Sequence, residues 1–187
     1  MKSFLKIFII FLTFFLHSLS YSWKGQEKKY GISEFKSEKY LGKWYEIVRK
    51  DHKFEKGLSN VTAQYEYLGN NKIKVVNRGY DAKNEKIKTV VGRAKIKYED
   101  VDNILKVSFF WPFYSDYIIM EYDREGYKYA LVRGRSDKYL WVLSRTPVLD
   151  SEILERLLEK AEEDGIKLDD LIYVEHDKSQ WPDLKSR

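Results

Sequence analysis

The chain has 187 residues, 43% of them hydrophobic and 16% aromatic, with 34 Lys and Arg against 29 Asp and Glu for a formal net charge of +5. Charges of both signs are interspersed, without the basic block of a nucleic-acid binder, and the absence of cysteine excludes disulfides, thiolate metal sites, a cysteine nucleophile and cysteine acylation. The expectation is one domain with a sizeable core, built from strands because Val, Ile and Tyr dominate its middle segments.

The first residues form a separate segment. Lys2 and Lys6 flank the start of an apolar run from Ile7 to Leu16, followed by Ser18, Ser20 and Ser22. A run of about ten residues is short of the roughly 20 that cross a bilayer as a helix, so residues 1–22 read as a signal peptide cleaved after Ser20 or Ser22. An uncleaved signal anchor is the alternative. Export places the chain in a periplasm or an extracellular space, where a protein without disulfides must be held by its core alone. Residues 23–36 are polar and turn-like, an arm expected to cross or close one end of the body, which occupies 37–177.

The body opens on Leu41-Gly42-Lys43-Trp44-Tyr45-Glu46-Ile47-Val48-Arg49, in which the residues from Trp44 on alternate as a strand does. Indole suits a solvated strand start poorly, so Trp44 is expected to plug the end of a core and to need a partner for its face and its N–H. Val61, Ala63, Tyr65 and Tyr67 then share a face, Gly69 to Asn71 make a hairpin turn, and the return strand sets Ile73, Val75, Asn77 and Gly79 on one side. After a turn at Asp81 to Glu85, Val90, Gly92, Ala94 and Ile96 alternate with their neighbours. A turn at Asp100 to Asn103 leads to Leu105, Val107 and Phe109. Phe110 to Tyr114 is an aromatic corner broken by Pro112, and strands follow over 115–122, 127–134 and 138–145. About eight short strands joined by short turns predict an all-β, up-and-down antiparallel barrel closed on itself. Asp150 or Ser151 caps a helix running up to Gly165, whose Ile153, Leu154, Leu157, Leu158 and Ala161 share a face that packs on the outside of the barrel. A short strand over 171–175 ends the body, the chain is expected to be mobile from His176, and 178–187 reads as a flexible tail.

Arg145 shares a strand face with Trp141, and a guanidinium at the base of an apolar barrel needs an aromatic face or carbonyl partners, for which Trp44 is the obvious aromatic. Gly42-Lys43-Trp44-Tyr45, the degenerate Tyr122-Asp123 and Arg145 within Leu143-Ser144-Arg145-Thr146-Pro147 resemble, in order and spacing, the three motifs of the lipocalin family. Within it the longer strings, including Lys106-Val107-Ser108-Phe109-Phe110-Trp111-Pro112-Phe113-Tyr114, look like the bacterial outer-membrane lipoprotein subgroup related to apolipoprotein D. The resemblance implies a lipocalin barrel with Gly42, Trp44 and Arg145 as its structural motif. That subgroup carries a lipid-modified cysteine after the signal. This chain lacks one, so the resemblance implies the fold and ligand class without the anchor, and a soluble exported form is expected.

The inner faces so assigned carry Val61, Ala63, Tyr65, Ile73, Val75, Val90, Ala94, Val107, Phe109, Ile118, Met120, Ala130, Val132, Tyr139 and Trp141, a lining that suits an acyl chain. Small residues such as Gly92 and Ala94 either leave a cavity or make room for the aromatics. Two polar residues, Glu46 and Asn77, share the inward parity and are candidates to face a head group, while Tyr114 is expected at the entrance. The expected ligand-binding residues are therefore Glu46, Asn77, Val107, Phe109, Tyr114, Ile118, Met120, Tyr139 and Trp141, with no catalytic residue, no metal and no cofactor. The expected partner is a small amphipathic lipid, a fatty acid or lysophospholipid, with association to a membrane surface and no nucleic acid. His52 and His176 read as surface residues, and Ser144 has the wrong parity for a nucleophile inside the barrel. One alternative is an enzyme using Glu46 with a tyrosine on an apolar substrate. Another is an interaction module in which the corner Phe110 to Tyr114 makes a homodimer or docks on another envelope protein.

Overall fold

The computed structural model describes residues 30–32, 34–98 and 101–177, so the expected signal peptide, most of the arm and the tail 178–187 lie outside the described residues. The chain divides into Met1–Gly31 and Ile32–Arg187, and every helix and strand described belongs to the second unit.

Eight strands follow one another: β1 (Gly42–Lys50), β2 (Leu58–Gly69), β3 (Lys72–Asp81), β4 (Lys86–Tyr98), β5 (Val101–Phe110), β6 (Phe113–Tyr122), β7 (Tyr129–Gly134) and β8 (Leu140–Ser144). Each pairs antiparallel with the next, and β1 pairs with both β2 and β8, so the sheet closes into an up-and-down barrel. Alternation drives this: Val61, Ala63 and Tyr65 of β2 and Ile73 and Val75 of β3 are buried on one face, and closure removes the edges that an open sheet would expose. The β2–β3 connection is the hairpin expected, with Asn70 and Asn71 at φ 51° and 55°, the left-handed pair that a two-residue turn requires. The expected turn at Asp100 to Asn103 is shorter than predicted. Asn103 lies inside β5, donating from Nδ2 to the Ile119 carbonyl at 2.9 Å and accepting from the Ile32 N–H at 2.9 Å.

A single helical turn, α1 (Ser37–Tyr40), precedes β1, and α2 (Ser151–Glu163) follows the barrel. Asp150 caps α2, its Oδ1 accepting from the N–H groups of Glu152 at 3.0 Å and Ile153 at 3.2 Å. Gly165 at φ 80° turns the chain out of the helix, and the Ile166 N–H returns to the Ala161 carbonyl. Leu157 and Ala161 are fully buried, and Arg156 donates to the Tyr129 hydroxyl at 2.8 Å, which seats the helix on the outside of β7.

The short strand β9 (Leu171–Tyr173) takes over the edge of β1 where β2 leaves it. The segment after it is docked along the same edge: the Val174 N–H bonds the Ile47 carbonyl, Glu175 accepts from the Asn60 N–H, and His176 Nε2 lies 2.8 Å from the Glu46 carbonyl. His176 is therefore a packed residue and not the start of a mobile tail.

Strand β6 reverses the expected parity. Tyr117 and Ile119 belong to the interior, and Ile118 and Met120, expected to line it, face outward. Both are buried there, because the outer wall is itself covered: Ile104, Leu131, Val142 and Val48 on the same outer side are also buried. Tyr114 has the parity of Ile118 and lies outside the barrel with Lys95 Nζ 5.0 Å from its ring, so it does not line the entrance.

Candidate ligand site

The up-and-down order sets two ends. One carries α1, the β2–β3 turn and the β6–β7 turn, and the other carries loops 51–57, 82–85, 111–112 and 135–139. At the first end Arg145 lies 3.8 Å from the centroid of the fully buried Trp44 ring. Its guanidinium donates to three carbonyls: Nε to Tyr127 at 3.1 Å, Nη1 to Lys43 at 2.9 Å and Nη2 to Lys39 at 2.9 Å. Trp44 Nε1 donates to the Tyr40 carbonyl at 2.7 Å, so the indole has both a cation on its face and an acceptor for its N–H. Gly42 sits at φ 95°, and a Cβ there would come within 3.3 Å of Arg145 Nη1, which accounts for glycine at this position.

Above this plug, Tyr40 and Tyr117 share a 2.6 Å hydroxyl hydrogen bond and Tyr65 donates to Tyr117 at 2.8 Å. Burial pushes all three hydroxyls well above the ordinary tyrosine range, so they remain neutral.

Toward the other end the inner face becomes polar at one place. The register of β1 slips between Glu46 and Val48, so Val48 turns outward opposite Val142 and Arg49 turns inward opposite Trp141. Arg49 is 1% exposed. Its Nη1 donates to Glu46 Oε1 at 2.9 Å, and its Nη2 to the carbonyls of Glu55 at 2.9 Å and Leu58 at 3.4 Å. Loop 51–57 thereby folds into the mouth: Glu55 Oε2 accepts from Trp141 Nε1 at 3.3 Å and lies 3.0 Å from His52 Nε2. The His52 ring packs 5.5 Å from Tyr139 and 5.6 Å from Trp141, whose rings stack at 6.0 Å. His52 is thus part of the interior and not a surface residue. Four polar atoms in this region find no hydrogen-bond partner among the described residues: Arg49 Nε, Asn77 Oδ1 and both ring nitrogens of His52, whose approach to Glu55 is badly aligned for a hydrogen bond.

Burial, then the neighbouring Glu55 charge, pushes the Glu46 carboxyl well above the usual carboxylate range, against the pull of Arg49. The folded chain holds that proton, while the unfolded chain releases it above its ordinary value of 4.5. Glu46 therefore costs stability progressively as pH rises from there toward its raised value. Glu46→Gln is expected to flatten this decline, so urea unfolding from pH 5 to 8 should show a smaller loss than in the wild type. Identical slopes would refute the assignment.

Of the residues expected to bind ligand, Glu46, Asn77, Val107, Phe109, Tyr139 and Trp141 lie on the inner side of the wall, and Tyr114, Ile118 and Met120 do not. Asn77, Val107, Phe109, Tyr139 and Trp141 are only half-buried although they point inward, whereas Ile119, Ala130 and Val132 deeper in the barrel are fully buried. This makes an open cup at the loop end. The space left by Gly92 is not part of it: the Phe109 ring occupies it, 2.6 Å from where a Cβ would stand. Arg49, His52 and Glu55 were not legible as inward residues, since one depends on a bulge and two on a loop. A separate hollow of about 460 Å³ lies at the Trp44 end, lined by Ser37, Glu38, Leu41, Tyr67, Asn71, Ile73, Ile96 and Asp102. None of its lining residues carries one of the buried unpaired polar atoms, and the cup is the stronger candidate for recognition.

A family model described as a lipocalin-like domain matches residues 35–176. The chain belongs to the lipocalin family. Outer membrane lipoprotein Blc of Vibrio cholerae serotype O1 is 46% identical over 144 residues, covering 77% of this chain and 84% of the relative. Blc of Escherichia coli strain K12 is 40% identical over 144 residues, covering 77% and 81%. Apolipoprotein D of Mus musculus is 30% identical over 159 residues, covering 80% of each. Among solved structures, insecticyanin from the tobacco hornworm Manduca sexta superposes with a TM-score of 0.65 at 19% identity, over 80% of this lipocalin and 85% of that chain, and so shares the fold. Lipocalins are in general binders of small hydrophobic molecules, and that is the class of activity this barrel belongs to.

Proposed function

We propose that this lipocalin carries one amphipathic lipid, a fatty acid or lysophospholipid, in the cell envelope, after export by a cleaved signal over residues 1–22. The acyl chain lies against Val107, Phe109, Tyr139 and Trp141, and the head group meets Asn77 and the Arg49–Glu46 pair, with His52 beside it. The observation that carries this reading is a row of apolar side chains that point inward yet stay accessible, ending on buried polar atoms without partners. Such atoms are costly unless a ligand or water completes them. The relatives named outer membrane lipoproteins support the placement in the envelope. The role is that of a carrier and not a catalyst, because Glu46 Oε1 is engaged by Arg49, the Glu55 carboxylate accepts from Trp141, and the Glu55 and Leu58 carbonyls bonded by Arg49 hold loop 51–57 in place.

Each methylene buried contributes about 0.8 kcal/mol, so affinity for a fatty-acid series is expected to rise about tenfold for every two carbons until the cup is filled. Trp141→Asp should abolish binding of a fluorescent fatty acid that the wild type takes up near one to one. Affinity independent of chain length, or binding unchanged in Trp141→Asp, would sink the proposal.

A further inference from the structure

Phe110, Trp111 and Phe113, at the β5–β6 turn, are 68%, 76% and 77% exposed. Val90 and Val91 of β4 are also exposed, and continuing the register from Arg93 opposite Ser108 sets them beside that turn. Phe54 stands exposed on loop 51–57 at the same end. A soluble surface rarely gathers so many large apolar groups at one tip, and here they crown the mouth of the cup. Around them the loops of this end and the first residue of β4 expose Lys53, Lys56, Lys83, Lys86, Arg135 and Lys138, against Asp51, Glu85 and Asp137.

From this juxtaposition we infer that the rim of the open end docks on the surface of an anionic lipid bilayer, with the tip of the β5–β6 turn inserted among the head groups and the basic loops resting on lipid phosphates. Aromatic side chains, tryptophan above all, are favoured at the boundary between hydrocarbon and head groups, and each basic residue near an anionic surface adds attraction that salt screens. A second copy of the chain is a poorer occupant. A two-fold contact through this face would oppose the same excess of basic loops to itself, whereas an anionic bilayer complements it. Docked this way, the cup opens onto the membrane. The inference does not depend on which lipid the cup holds, and Trp111 and Phe113, the residues changed below, do not line the cup.

The test is flotation of the mature chain from Trp23 on, without the apolar run Ile7–Leu16 that would enter a bilayer by itself, with vesicles of phosphatidylcholine alone and with about 30% phosphatidylglycerol, at low and at about 0.15 M salt. Binding is expected to the anionic vesicles, weakened by salt, and Trp111→Ser with Phe113→Ser together should lower it at least tenfold while melting and fatty-acid binding stay as in the wild type. Vesicles with brominated acyl chains should quench part of the tryptophan fluorescence, and that part should vanish in Trp111→Phe. No binding to anionic vesicles, or equal binding by the double variant, would overturn the inference. So would a concentration-dependent dimer without vesicle binding, dissolved by the same substitutions, which would make this face a contact between copies.

Discussion

Trp44→Ala is expected to lower the unfolding free energy by about 3–5 kcal/mol, the range for deleting a fully buried aromatic, and the melting temperature by roughly 10 °C. The cost has three sources. The cavity left by the indole adds to the lost burial, Arg145 loses the face it lies over at 3.8 Å, and the Tyr40 carbonyl loses its 2.7 Å donor. Arg145→Ala should fall in the same direction, since its guanidinium ties Lys39, Lys43 and Tyr127 together across the end of the barrel. Thermal unfolding with fatty-acid titration of the folded protein separates the possibilities. A variant that melts normally but no longer binds ligand would contradict a structural role for this pair.

Arg49→Met is the second large effect. At neutral pH it should cost about 3 kcal/mol or more, since each buried acceptor left without its donor costs about 1–3 kcal/mol and the guanidinium serves three. The methionine fills much of the volume, but Glu46 Oε1 and the Glu55 and Leu58 carbonyls lose their donor. Adding Glu46→Gln to Arg49→Met should restore part of the stability at pH 7 by removing the cost of holding the Glu46 proton, which the unfolded chain gives up at that pH. Stability of Arg49→Met equal to the wild type at pH 7 would refute this account of the cluster.

The pairing of Trp44 with Arg145 was legible because both residue types are so costly to bury alone that each had to find the other. The inner rows of β2 and β3 were legible for a related reason: Val61, Ala63 and Tyr65, and Ile73, Val75 and Asn77, are set apart from their neighbours by alternation, which is a direct trace of one dry face. The cap at Asp150 and the turn at Asn70 and Asn71 follow from local backbone chemistry alone.

Strand β6 shows where that legibility ends. Tyr117, Ile118, Ile119 and Met120 are apolar on both faces, because the outer wall of the barrel is covered as well as the inner, and the alternation that reports parity is lost. The binding site was harder still to read. A register slip of one residue in β1 turned Arg49 inward, and loop 51–57 carried His52 and Glu55 into the mouth, neither of which leaves a periodic trace in the chain. The amino-acid order by itself determined the closed barrel, its outer helix and the plug at one end, since these rest on periodicity and on the cost of exposing or burying particular side chains. The polar floor of the cup was decided only by tertiary structure, because a bulge and a folded-in loop bring together groups whose neighbourhood no local pattern encodes.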